Sequence, residues 1–387
     1  MPERFLTYGS ACQDCGFNNQ RRSLEAAASL ALASGRTLVV RNFVCSPHSP
    51  CPESSASADG VIPALGGVTA WRNTCALDGV VVCDQSRFRK DDGSLWGNGT
   101  RFLAARLVVD PAYFERLQLR YVWQDDFHAQ HPELLHNCRA TGRPCWVMVQ
   151  RRSPLTSVEC DATVWHAYHL HKERFIRGFA ANAPLPSAWP RTRGPMVYGR
   201  PLQQVAEQVM VALQGLRSGH KYACAHIRLG DWGPWHGLEK TGFQPGRYAK
   251  ALKQRLPEAR HAPLYVATSN PQSILALRDH FELHTSASLG IEQRIRLAAG
   301  VFSNDLLACV EQLVCAGAVF FIGSPGSSVT SHIQAMRRSR RSVARGHELL
   351  LSPLDFFNST YNRSLLLHTR GITGAESSLF RESKRVS

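Results

Sequence analysis

Two stretches in the C-terminal half of the chain combine residue types that suit a phosphorylated ligand. In the first, Ala225-His226-Ile227-Arg228 ends an apolar run and is followed by Gly230 and Asp231. His226 and Arg228 point to the same side of a strand because side chains alternate along it. Arginine is a permanent cation with a fork of N–H donors, which suits a diphosphate. The alternative is a buried strand that ends in an Arg228–Asp231 ion pair.

The second stretch runs from Phe320 to Thr330 and predicts an apolar strand, a glycine-containing turn and the start of a helix. The first turn of a helix offers backbone N–H groups and partial positive charge to an anion. Ser327, Ser328 and Thr330 add hydroxyl groups there, and Arg337 adds a cation later in the same helix. The alternative is that the serines only cap the helix.

A third polar stretch lies near the start of the chain, where Asn19 and Gln20 follow the turn after the first predicted strand. Their amide groups suit sugar hydroxyls, and the alternative is that Asn19 caps the helix that follows. Motifs of other chemistries are missing: the sequence has no Gly-x-Ser-x-Gly nucleophile turn, no Walker loop and no Asp-x-Asp pair of a metal-dependent transferase.

The elements that must hold these stretches alternate between strand and helix. A strand over Phe5–Tyr8, a helix over 19–34 and a strand over Thr37–Val40 form a β-α-β unit, which predicts a parallel sheet. The second half predicts helices over 202–216, 273–281, 305–316 and 327–338, and strands over 222–227, 264–267 and 318–322. Further predictions are short strands over 80–83 and 146–149 and a surface loop over 45–73.

Residues 183–201 are rich in proline and predict a linker between two domains. We expect an N-terminal domain over 1–190, a C-terminal domain over 201–370 and a flexible tail over 371–387. A chain of 387 residues, of which 44% are hydrophobic, is long enough to build two cores. The predicted fold class is therefore α/β, with two domains facing each other across a cleft.

The net charge of +15 favours an anionic partner by long-range attraction. The densest basic run, from Arg337 to Arg341, suits either a solvated helix end or a site for a polyanion. In the second case the chain would be a non-catalytic basic module that binds sulfated glycan or nucleic acid. The run lacks the interleaved aromatic residues of a protein that binds single strands, so nucleic acid is not expected.

The chain has 12 cysteines, and close pairs such as Cys45 and Cys51 suit disulfides in an oxidising compartment. Cys224, Cys309 and Cys315 lie in apolar runs and are predicted as free, buried thiols. No set of paired CxxC knuckles indicates zinc.

Three glycosylation sequons, at Asn98, Asn358 and Asn362, agree with the secretory pathway. The sequence shows no signal peptide and no apolar run of the ~18–20 residues that a membrane span needs. We expect the lumen of the endoplasmic reticulum or Golgi if a leader or anchor lies outside this sequence, and the cytoplasm if the N-terminus is complete.

Together, the three stretches resemble motifs of the GDP-fucose protein O-fucosyltransferases, and they occur in the same order. These are Gly-Phe-x-Asn-Gln from Gly16, His-x-Arg-x-Gly-Asp from His226, and Phe-Ile-Gly…Ser-Ser-x-Thr…Arg from Phe321. The run from Leu264 to Ser269 is similar to a Val-Ala-Thr/Ser-Asp strand of that family. The resemblance covers most of the C-terminal half and about the first 45 residues, and the His-x-Arg motif recurs in related fucosyltransferases such as α1,6 types.

The resemblance implies a GT-B fold of two Rossmann-like domains, with the acceptor side in the N-terminal one and the nucleotide sugar bound mainly by the C-terminal one. It implies inverting transfer of fucose from GDP-fucose to a protein Ser/Thr hydroxyl, without a metal or other cofactor. Arg228 would be catalytic and neutralise the β-phosphate as GDP leaves. The implied donor-binding residues are Asn19, His226, Ser327, Ser328, Val329 and Arg337.

Departures from the family pattern leave a second enzyme function open. Ser269 stands where the family usually has an aspartate, although Asn270 could replace it at the nucleotide. A related transferase that uses a glycan acceptor or another nucleotide sugar is therefore the alternative. No catalytic base is identified, and Asp14 and Glu25 are candidates by location alone.

Overall fold

The structure is a computed structural model that describes residues 4–8, 17–44, 61–63, 101–130, 145–148, 164–168, 194–216, 221–229, 244–255, 257, 261–324, 327–339 and 348–350. Several sequence predictions lie outside these residues. They concern the strand over 80–83, Asp14, Gly230 and Asp231, the side chains of the close cysteine pairs, the three sequons, the end of the Arg337 to Arg341 run and the tail.

The N-terminal half is built on a parallel sheet and a small antiparallel one. In chain order its elements are β1 (Phe5–Tyr8), α1 (Phe17–Ser34), β2 (Thr37–Val40), β3 (Phe43–Val44), β4 (Val61–Pro63), β5 (Arg101–Leu103), α2 (Ala105–Val108), α3 (Ala112–Leu117), β6 (Tyr121–Trp123), α4 (Gln124–Gln130), β7 (Cys145–Met148) and β8 (Val164–Tyr168). The parallel sheet has the order β6-β2-β1-β8-β7. β1 pairs in parallel with β2, so the predicted β-α-β unit is confirmed.

One part of the predicted surface loop over 45–73 is a strand instead. β4 pairs antiparallel with β5, which also pairs with β3. The segment Val-Ile-Pro has the β-branched residues that favour a strand, and the Ser/Pro/Gly-rich composition around it hid this short run.

The C-terminal half is built on a second parallel sheet. Its elements are α5 (Arg200–Gly215), β9 (Ala223–His226), α6 (Pro245–Arg255), β10 (Leu264–Ala267), a 3₁₀ helix (Gln272–Asp279), β11 (Leu283–His284), α7 (Ile291–Ala299), α8 (Asn304–Gly317), β12 (Phe320–Gly323), α9 (Ser328–Ser339) and β13 (Glu348–Leu350). The sheet has the order β11-β10-β9-β12-β13. The predicted elements agree to within a few residues, except that the helix over 273–281 is of the 3₁₀ type. The helices α6 and α7 and the short strands β11 and β13 were not predicted.

Both faces of this second sheet are buried, which explains why its strands have continuous apolar sequences. Cys224, Tyr265 and Phe321 point into the main core of the molecule, while Ala225 and Ile322 point into a second core on the other face. With its two parallel sheets and intervening helices, the chain has the predicted α/β class and the two Rossmann-like halves of GT-B.

The two halves share the main core rather than standing apart. This core runs from Leu6 in β1 to Met336 in α9. The described end of the predicted linker also joins the N-terminal half, since the Gly199 N–H donates to the Val108 carbonyl at 2.9 Å and the Asp110 N–H to the Val197 carbonyl at 3.0 Å. The exact domain boundaries remain a prediction.

The prediction of free thiols is wrong for two of three cysteines. Cys224 in β9 and Cys315 in α8 form a disulfide, with their Cα atoms 5.1 Å apart. They are 91 residues apart in sequence, so only the packing of α8 against β9 reveals the pair. Cys309 is a free, buried thiol, as predicted.

Of the helices that the structure describes, no single one is long and apolar enough to cross a membrane.

Candidate functional site

The candidate site lies at the carboxyl ends of β9 and β12, which are neighbours in the second sheet. From β9 the chain adds β10 and β11 on one side, then β12 and β13 on the other. Such a reversal of strand order opens a crevice outside the carboxyl ends, where open α/β sheets bind ligands. His226 ends β9 and Arg228 lies just beyond it, while Gly323 ends β12 and leads towards α9.

Ser324 ties the two strand ends together. It is buried, and its hydroxyl donates to the His226 carbonyl at 3.0 Å and accepts the Arg228 backbone N–H at 3.2 Å. The Ser324 N–H donates in turn to the Thr330 hydroxyl oxygen at 3.1 Å. These bonds fix the backbone that carries Arg228.

His226 is a neutral ring beside a cation. Burial, together with the charge of Arg228, lowers the pKa of His226 to about 3. Its Nδ1 atom lies 2.9 Å from the hydroxyl oxygen of Thr330, a buried residue of α9. The positive charge at this edge is therefore carried by the half-buried Arg228 and by the N-terminal dipole of α9.

The first turn of α9 supports both interpretations of its serines. Ser327 is buried and its hydroxyl accepts the Val329 N–H at 3.3 Å, so it caps the helix. Ser328 and Val329 are half-buried, and Val329 packs against the main core. The structure thus brings Ser327, Ser328 and Val329 to the sheet edge that carries His226 and Arg228.

Arg337 is not brought to this edge. It lies nine residues after Ser328 along α9, which at ~1.5 Å per residue places it about 13 Å away. Its buried guanidinium donates to the carbonyls of Ala318 and Val319 and contacts the Phe321 ring at 5.8 Å. This arginine satisfies backbone carbonyls at the end of α8 rather than pointing to the crevice.

Asn19 lies inside the first turn of α1 rather than before it, because the helix begins at Phe17. Its side chain is half-buried, and its backbone carbonyl accepts the Ser23 hydroxyl at 3.2 Å. The neighbouring Asn18 is buried, and its side-chain oxygen accepts the Arg21 side-chain N–H at 3.3 Å. The structure places Asn19 in the N-terminal half without a hydrogen bond to the described residues of the site.

Polar side chains of α1 and α9 meet at Glu25. Glu25 pairs with Arg21 at 2.6 Å and accepts the Met196 N–H at 3.1 Å. Its carboxylate also lies 3.9 Å from Nδ1 of His332, a buried residue whose pKa is lowered well below its usual value by burial and by Arg21 and Arg22. Glu25, a candidate base from the sequence, is thus occupied in the contact between the halves.

The carboxyl end of β10 completes the edge on the other side of β9. Ala267 pairs with His226, and the exposed Ser269 and Asn270 follow directly. The Asn270 side-chain oxygen accepts the Ser273 N–H at 3.3 Å. Both residues therefore lie beside the site.

The sequence prediction did not assign Ser324 a role at the site, and for Thr330 it expected only a hydroxyl group near the start of the helix. Ser324 directly follows the apolar strand β12, and this position at a strand end is the sequence signal that could have marked it. Within the part of the chain that the structure describes, no group of three or more His, Cys, Asp or Glu residues could hold a metal ion.

No protein-family model and no curated protein matches this chain. Among solved structures, it is similar to POFUT1 in complex with GDP-fucose, with 11% identity over 91% of this chain and 98% of that chain and a TM-score of 0.48. It is also similar to the fucosyltransferase NodZ from Bradyrhizobium, with 16% identity over 86% and 93% and a TM-score of 0.37. At such low values the similarity concerns the overall arrangement of the chain alone.

Proposed function

We propose that this protein transfers fucose from GDP-fucose, with inversion and without a metal ion, to a Ser/Thr hydroxyl of a protein. One observation carries the proposal: Arg228 and the first turn of α9 meet at the point where the strand order of a parallel sheet reverses. The sequence motifs at this point are those that resemble the O-fucosyltransferases.

The residues of the site suit the departure of GDP. As the acceptor oxygen bonds to the anomeric carbon and its proton passes to water, the bond from that carbon to the β-phosphate oxygen breaks and negative charge grows on the phosphate. A guanidinium already held in place, here Arg228, lowers the energy of that state without reorganisation. The backbone N–H groups around Ser328 favour the same charge.

Donor specificity is the first test. We expect GDP and GDP-fucose to stabilise the protein against heat, by about 2.7 kcal/mol at 100 times the dissociation constant. UDP, UDP-glucose and ADP should have little effect, and EDTA should change nothing. The shift should disappear in Arg228→Ala but persist in Arg338→Ala, which removes an exposed arginine of the same half. A folded wild-type protein that no nucleotide stabilises would contradict the proposal.

A related transferase with another donor or a glycan acceptor is the second candidate. The observation that favours it is Ser269, an exposed hydroxyl at the position where the family has an aspartate. A thermal shift with UDP instead of GDP would select this candidate.

The non-catalytic basic module is less well supported. Arg337, the first residue of the basic run, is buried on backbone carbonyls, while Arg338 is exposed. Retention on heparin that salt reverses and GDP does not affect would favour this module.

The Cys224–Cys315 disulfide supports our proposal of an oxidising luminal compartment.

A further inference from the structure

The hydrogen bonds around Thr330 determine which nitrogen of His226 carries the ring proton. The Thr330 hydroxyl oxygen already accepts the Ser324 N–H at 3.1 Å, and it lies 2.9 Å from Nδ1 of His226. If Nδ1 carried the proton and donated it, the hydroxyl hydrogen of Thr330 would need another acceptor. No such acceptor is within hydrogen-bond distance among the residues that the structure describes.

The remaining arrangement satisfies both Nδ1 of His226 and the Thr330 hydroxyl. The Thr330 hydroxyl donates its hydrogen to Nδ1, and a neutral imidazole then carries its proton on Nε2. Because the low pKa of His226 keeps the ring neutral, this tautomer is the relevant one at neutral pH. The ring therefore presents an N–H donor on the nitrogen that Thr330 does not occupy.

Gly323 holds Thr330 in the required orientation. A Cβ atom at Gly323 would overlap Cγ2 of Thr330, so the methyl group packs directly against the backbone of β12. With its methyl group confined there, Thr330 keeps its hydroxyl directed to both Ser324 and His226. A glycine at the end of β12 is thus needed for the threonine to reach β9.

We propose that Thr330 is a positioning residue that fixes His226 with its proton on Nε2, so that this N–H donates a hydrogen bond to an anionic oxygen of the nucleotide sugar. The ligand named here rests on the proposed function, whereas the tautomer rests on the hydrogen bonds of the free protein alone. Thr330 acts through His226 and need not touch the ligand.

The test compares Thr330→Val, which keeps the shape and removes the hydroxyl, with Thr330→Ser, which keeps the hydroxyl. Long-range 1H–15N spectra of labelled protein report the tautomer of each ring, and the signal lost in His226→Gln assigns His226 among the 16 histidines. We expect the Nε2–H form in wild type and Thr330→Ser, and a shift towards Nδ1–H in Thr330→Val. GDP affinity should fall about fivefold to tenfold in Thr330→Val, the usual cost of one lost hydrogen bond, and recover in Thr330→Ser.

Thr285→Val is the matched control, because it removes a buried threonine hydroxyl beside the edge strand β11. It should leave both the His226 tautomer and GDP affinity unchanged. The Nδ1–H form in wild type would overturn the proposal, and so would an unchanged tautomer in Thr330→Val; should that variant fail to fold, the wild-type spectrum decides. If wild type binds no nucleotide, the proposed function and the ligand of Nε2 fall, while the spectra still decide the role of Thr330.

Discussion

The sequence assigned residues from both ends of α9 to the same donor site, but the two ends have different surroundings in the structure. At the N-terminal end, Ser327 and Thr330 lie beside the strand ends that carry His226 and Arg228. At the C-terminal end, Arg337 is surrounded by backbone carbonyls of the loop between α8 and β12. The sequence motif assigned Ser327, Ser328 and Arg337 to one donor site. In the structure, the length of α9 keeps Arg337 away from the two serines. Within α9, the side chains next to the crevice are those of the first turn.

Arg337 and Arg228 differ in their surroundings: the first donates to backbone carbonyls inside the fold, and the second lies at the edge of the sheet. Arg228 is half-buried and follows a strand end, whereas Arg337 is buried in the fold. Exchanging either arginine for methionine, which keeps an unbranched apolar stem, should separate loss of turnover from loss of stability.

The largest effect is expected for Arg228→Met. Turnover should fall by about 10²–10³-fold, because losing a group that stabilises charge in the transition state costs on the order of 2.7–4 kcal/mol. The free energy of unfolding should change little. Initial rates with GDP-fucose and denaturation in urea measure the two quantities, and turnover within a few fold of wild type would remove Arg228 from the site.

Arg337→Met should lower the stability of the protein and leave GDP binding intact. Hydrogen bonds to a charged group contribute about 1.5–3 kcal/mol, and this change leaves the carbonyls of Ala318 and Val319 without their donor. We expect a lower midpoint in urea with GDP affinity per folded molecule unchanged. A selective loss of GDP binding would restore Arg337 to the predicted donor site.

Gly323→Ala should damage the first turn of α9 specifically. The added Cβ overlaps Cγ2 of Thr330, and overpacking of this kind costs about 1–3 kcal/mol. Since α9 must shift, both stability and GDP affinity should fall. Gly215→Ala is the control, because a Cβ there meets nothing within 4 Å. Equal effects of the two changes would mean that the tight contact at Gly323 is not what positions Thr330.

The stability of the protein should fall as the pH is lowered below neutral. His226 and His332 both have lowered pKa values in the folded state, so the unfolded chain takes up protons first as the pH falls. The two neutral rings contribute fully to the free energy of unfolding above pH 6.5, which is about the pKa of histidine in the unfolded chain. Below that pH the contribution of each ring falls by up to about 1.4 kcal/mol per pH unit. Urea denaturation between pH 7 and 5 measures this slope. In His332→Phe the slope should flatten while GDP binding persists, and an unchanged slope would contradict the assignment.

Strand and helix positions were predictable where apolar periodicity was strong, as in β1, α1, β10 and α8. Local sequence also located His226, Arg228 and the first turn of α9. It could not show that Cys224 meets Cys315, or that Arg337 points to carbonyls, since both depend on how α8 packs against its neighbours. Asn19 was misplaced within its helix because the buried Phe17 extends α1 by two residues.

The Cys224–Cys315 bond has a practical consequence for limited proteolysis. It encloses most of the C-terminal sheet in a covalent ring of the chain, including β10, β11 and the connecting helices. A protease that cuts one bond inside this ring linearises it without releasing a fragment. On a gel, such nicked protein would migrate near the intact chain until a reductant separates the pieces.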